Sequence, residues 1–215
     1  MSENLRTFFA VALSEEARQA AARLADRLRG SDRGEGVRWV RPVGYHLTLR
    51  FLGNVGRQAS AELVDRVSEE VTPLAPFAIQ LGGALVVRSP RSPRVVALAV
   101  EPEALLATLA ERVERGVVAV GFKAERRRFR AHLTLGRVRN RRFPSVDGEA
   151  SIDCPAFPVE EIVLFQSDLQ RTGAVYTPLE RIALRGCSSS EGARSKAGAP
   201  EGRLPRPAPA GTDSP

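Results

Sequence analysis

A chain of 215 residues, 43% of them apolar, is long enough to bury a core as one domain or two small lobes, and no stretch nears the roughly 18 uninterrupted apolar residues of a membrane span. The net charge is +7 and only Lys123 and Lys196 are lysine, so arginine, with its phosphate-gripping fork, dominates; a polyanionic partner fits, although solubility accounts for the charge equally well. Two cysteines exclude a disulfide framework, and Met1 to Ala12 lacks a basic segment ahead of a long apolar run, so the expected setting is a reducing cytoplasm.

The chain opens with a short apolar run, Leu5 to Leu13, that stops at Ser14, a good helix N-cap followed by Glu15 and Glu16. Ala17, Ala20, Ala21, Leu24 and Leu28 then recur at helical spacing up to Gly30. Leu63, Val64, Val67 and Val71 predict a second helix; Pro102 in a first turn, with Leu105, Leu106, Leu109 and Val113, predicts a third. Around them lie strand candidates at Phe77 to Val87, Arg94 to Val100, Ile162 to Leu169 and Val175 to Leu184, a mixture that points to an α+β fold. Neither GxGxxG nor GxxxxGK[ST] occurs, which argues against the common nucleotide folds. From Cys187 to Pro215 the residues are Ser, Gly, Ala, Pro and scattered charge, so residues 1–186 are expected to fold and 187–215 to form a disordered tail.

The specific signal is a repeat. The chain has two histidines, and each opens the same tetrapeptide: His46-Leu47-Thr48-Leu49 and His132-Leu133-Thr134-Leu135. On a strand, His46, Thr48 and Arg50 share one face while Tyr45, Leu47, Leu49 and Phe51 share the other; in the second copy His132 and Thr134 oppose Leu133 and Leu135. Two motifs in different halves suggest an internal duplication, with two lobes facing across a cleft. Opening a phosphodiester with water needs one group to take a proton and another to give one, and histidine does either near neutral pH. The threonine hydroxyls can hold phosphoryl oxygens, and Arg126, Arg127, Arg128, Arg130 and Arg137 flank the second motif, though such a run is also what a solvated face looks like. Metal binding is the competing use of histidine, but HxxxH, HxH and CxxC are all absent.

These residues resemble the two-histidine (2H) phosphoesterase superfamily, and within it the RNA 2′,3′-cyclic phosphodiesterases, also called 2′-5′ RNA ligases. The resemblance spans Leu5 to Leu184: Arg6-Thr7-Phe8-Phe9-Ala10-Val11, Trp39-Val40, His46 to Gly53, Phe129 to Arg137, and Tyr176-Thr177-Pro178-Leu179; Ala131 stands where the family usually has proline. It implies a bilobal α+β fold, two antiparallel-type sheets with pseudo-two-fold symmetry flanked by helices around a central cleft. It further implies a monomer with no metal and no cofactor, acting on RNA with 2′,3′-cyclic phosphate ends and leaving a 2′-phosphate, with 2′-5′ joining as the reverse direction. By that resemblance His46 is the proton donor, His132 the proton acceptor, Thr48, Thr134 and Arg137 bind phosphate, Phe9 stacks on a base, and Tyr176 serves either packing or the site. A cyclic phosphodiesterase of small nucleotides and a non-catalytic nucleic-acid-binding relative are the alternatives. A basic cleft with an aromatic platform would favour RNA, and a narrow uncharged one the small substrate.

Overall fold

Ser14 stops the first strand and starts the first helix by accepting a hydrogen bond from the Ala17 N–H at 3.2 Å. β1 (Asn4–Ala12) therefore passes into α1 (Glu15–Arg29), whose Ala17, Ala20, Ala21, Leu24, Ala25 and Leu28 form the buried face, with glutamates in the first turn and arginines in the last. The computed structural model describes residues 4–31, 35–87, 95–139, 152–171 and 173–186; the predicted tail at 187–215 lies outside them. After α1 come β2 (Val37–Trp39), a 3-10 turn (Pro42–Gly44), β3 (His46–Gly56), α2 (Arg57–Val71), β4 (Phe77–Val87), β5 (Val95–Glu101), α3 (Glu103–Ala119), β6 (His132–Val138), β7 (Phe157–Val159), β8 (Glu161–Gln170) and β9 (Gly173–Ala183).

The strands form two sheets, ordered β3-β1-β8-β9 and β2-β6-β5-β4-β7, and every pairing is antiparallel. With three helices this is the expected α+β arrangement of two antiparallel sheets. α2 and α3 pack together, with α3 against β3 and α2 against β9, over the four-stranded sheet. Their close approach needs Gly116, where a Cβ would lie 2.7 Å from the Val67 Cα. The predicted helix faces are correct except at Leu105, which is 42% exposed while Leu106, Leu109 and Val113 are buried. Pro102 stands just outside α3 as its N-cap residue. No helix among the described residues is long and apolar enough to cross a membrane.

Candidate active site

The two tetrapeptides begin β3 and β6, and these strands lie against each other, which joins the two sheets at the site. In each, the inward leucines anchor the strand: Leu47, Leu133 and Leu135 are at most 1% exposed. Each strand also carries a bulge at the fourth residue of the motif. Along β3, Phe9 pairs with Arg50 and Ala10 with Thr48, passing over Leu49; along β6, Val96 pairs with Gly136 and Ala97 with Thr134, passing over Leu135. An extra residue re-aims everything beyond it. Phe51 and Arg137, each five residues after its histidine, therefore join the cleft beside His46 and Thr48. Simple alternation places Arg50 on the cleft face and Phe51 behind it. The bulge reverses both: Arg50 turns back toward α3, contacting Glu114 at 2.5 Å, and Phe51 is 44% exposed.

The histidines are tied down in the same way. His46 Nδ1 lies 2.9 Å from the Gly44 carbonyl and His132 Nδ1 lies 2.8 Å from the Arg130 carbonyl, in each case two residues back. A carbonyl only accepts, so Nδ1 carries the proton in both rings and Nε2 is the working nitrogen.

Their surroundings differ. The His46 ring is enclosed by Phe8, Tyr176 and Phe165, with centroids 4.7, 4.9 and 6.3 Å away. Gly44 lets Tyr176 come this close, since a Cβ there would stand 3.3 Å from the tyrosine ring. Burial lowers the His46 pKa from 6.5 to about 4; the Gly44 hydrogen bond opposes the shift, while the positive charges of Arg137 and His132 add to it. That His132 acts electrostatically on His46 places the second motif within reach of the first.

A cavity of about 410 Å³ opens over this cluster, lined by His46, Thr48, Phe51 and Arg137, by Arg38 and Arg41 around β2, and by Tyr176. Arg6 also lines it, with its guanidinium 4.7 Å from the centre of the Phe51 ring. His132 and Thr134 stand on β6 beside the cavity and are not among its lining residues. Phe9 requires correction as a stacking residue. It is 0% exposed in the core, because on β1 it faces away from the cleft while its neighbour Phe8 faces His46. The ring open to solvent in the cleft is Phe51. Phe8, Phe165 and Tyr176 around the imidazole, and Arg6, Arg38 and Arg41 along the cavity, are not singled out by sequence alone; the adjacent phenylalanines 8 and 9 are the available signal, since on a strand one of them must face each way.

Comparison with known proteins agrees with this geometry. Residues 11–97 and 98–176 each match the family described as LigT like Phosphoesterase, with one histidine motif in each match. The chain is 34% identical over 181 residues to the RNA 2′,3′-cyclic phosphodiesterase of Methanothermobacter thermautotrophicus, covering 82% of this chain and 97% of that one. It is 32% identical over 204 residues to that of Thermus thermophilus, covering 92% and 100%. Among solved structures, TT0787 of Thermus thermophilus superposes with a TM-score of 0.70 at 32% identity, covering 85% of this chain and 99% of that one. E. coli LigT complexed with 3′-AMP superposes with a TM-score of 0.68 at 28% identity, covering 85% and 99%.

Proposed function

The chain belongs to the LigT-like phosphoesterase family, and from that premise we propose that it hydrolyses the terminal 2′,3′-cyclic phosphodiester of RNA to a 2′-phosphomonoester by metal-independent acid/base catalysis between His46 and His132. The observation that carries this reading is the matched pair of Nδ1 to carbonyl bonds, which leaves the same nitrogen of both imidazoles free for proton transfer. His132 Nε2 takes a proton from water as the water oxygen attacks phosphorus. The bond from phosphorus to the 3′ oxygen breaks, and His46 gives that oxygen its proton. Thr48 and Thr134 donate to the non-bridging oxygens and Arg137 neutralises their growing charge. Joining ends through a 2′-5′ linkage is the corresponding cyclic-phosphate opening with an RNA hydroxyl in place of water.

In the free chain His46, held near 4, is neutral at neutral pH. As donor it takes up its proton when the anionic phosphodiester arrives, because that charge opposes Arg137 and His132 and raises its affinity. RNA is favoured over a small cyclic nucleotide because the cavity offers Arg6, Arg38 and Arg41 beyond the one arginine a single phosphate needs, with Phe51 as a platform. The test is incubation in EDTA with a short RNA ending in a 2′,3′-cyclic phosphate and, separately, with a cyclic mononucleotide. A 2′-phosphate formed faster on the RNA is expected. An untouched cyclic end sinks the reading, and a preference for the mononucleotide moves the substrate to the smaller class.

A further inference from the structure

Arg50, turned out of the cleft by the bulge, is half-buried behind β3 with its side chain 12% exposed. Its Nη2 donates to the Lys123 carbonyl at 2.5 Å, its Nε lies 2.5 Å from Glu114 on α3, and its Nη1 is 3.9 Å from Glu125. Lys123 and Glu125 belong to the segment from Lys123 to Ala131 that leads into β6, and this segment is neither helix nor strand. Its backbone is tied to side chains instead: the Glu125 N–H donates to Glu114 at 2.7 Å and the Arg127 N–H to Glu125 at 3.1 Å. The same segment supplies the Arg130 carbonyl that accepts from His132 Nδ1.

We propose that Arg50, with Glu114 and Glu125, forms a positioning cluster that fixes the segment ahead of β6 and so holds the His132 imidazole in register with His46. The first motif's strand thus presents a histidine on its front and, from its back, steadies the partner histidine. None of the three touches the cavity, so they act through His132 and only on its placement. The catalytic consequence rests on the acid/base function proposed above, whereas the placement of the ring does not.

Two variants of the full chain test it. Glu125→Ala changes a side chain that is 44% exposed, so the fold survives; Arg50→Lys keeps the charge but cannot reach the carbonyl and the carboxylates together. The two histidines give two imidazole signals in a ¹H–¹⁵N spectrum, assigned with His46→Ala. We expect the His132 ring to lose its Nδ1–H bias in both variants while His46 and the melting temperature hold. Displacing a catalytic group slightly should lower kcat by about ten- to a hundredfold with KM little changed. An unaltered His132 ring in both folded variants overturns the proposal, as does an equal change at both rings, which would mean a general loosening. The spectra need no substrate, so a wild-type chain with ordered rings and no turnover would count against the proposed function alone.

Discussion

β3 runs along the edge of its sheet, whereas β6 is enclosed between β2 and β5, yet both strands carry the same bulge after the same tetrapeptide and tie their histidines to the same carbonyl position. What differs is around the rings: three aromatic side chains enclose His46, and none stacks on His132 among the described residues. Repeated backbone geometry selects which nitrogen works, and the unequal surroundings separate the two imidazoles into different proton affinities. One tetrapeptide can thus serve as acid in one place and base in another.

The sharpest way to break this comparison is to remove each ring in turn. His46→Ala and His132→Ala should each lower the rate of cyclic phosphate opening by about two to four orders of magnitude, measured under single turnover. Near-normal activity in either ends the idea of a pair. Thr48→Ala and Thr134→Ala should cost less, about tenfold each, because each removes one hydrogen bond to a charged oxygen. A large gap between them would show that the halves share the phosphate unequally. Phe51→Ala, where the second copy has Arg137, should raise KM by roughly fivefold or more for an oligonucleotide and leave a cyclic mononucleotide little affected, since stacking acts only on a longer chain. Equal effects on both substrates would remove Phe51 from RNA binding.

The smallest effect concerns pH. His46 binds its proton less well folded, at about 4, than unfolded, at about 6.5, so between these values the unfolded state holds more proton and stability falls as pH drops. The loss below pH 4 is on the order of 3 kcal/mol, and denaturant melts from pH 7 to 4 should show it diminished in Tyr176→Leu, which opens the cage. A ring titration that stays near 4 in that variant would mean that the aromatic enclosure is not the cause.

Much of this is legible in the residues themselves. Ser14, the apolar faces of the helices and the paired HLTL segments depend on local spacing, which one sequence displays. The exchange of Arg50 and Phe51 is not, because a bulge is set by pairing with β1 and leaves no mark in the alternation of β3. The cage is hidden for the same reason: Phe8, Phe165 and Tyr176 come from three strands and meet only through the register of β1, β8 and β9. Phe9 misleads because two adjacent phenylalanines fit either face until the sheet order is known.

Gly136 occupies the place in the second motif that Arg50 holds in the first, and a Cβ there would stand 2.5 Å from the Val37 side chain. The duplicated segments are therefore not interchangeable parts. Grafting Leu49-Arg50-Phe51 in place of residues 135–137 would wedge β2 off its neighbour, carrying Arg38 and Trp39 away from the cavity wall; the reverse graft would sever the tether to Lys123. An ancestral symmetry is preserved where the chemistry is done and abandoned one residue beyond the shared leucine, where each copy has become committed to its own half.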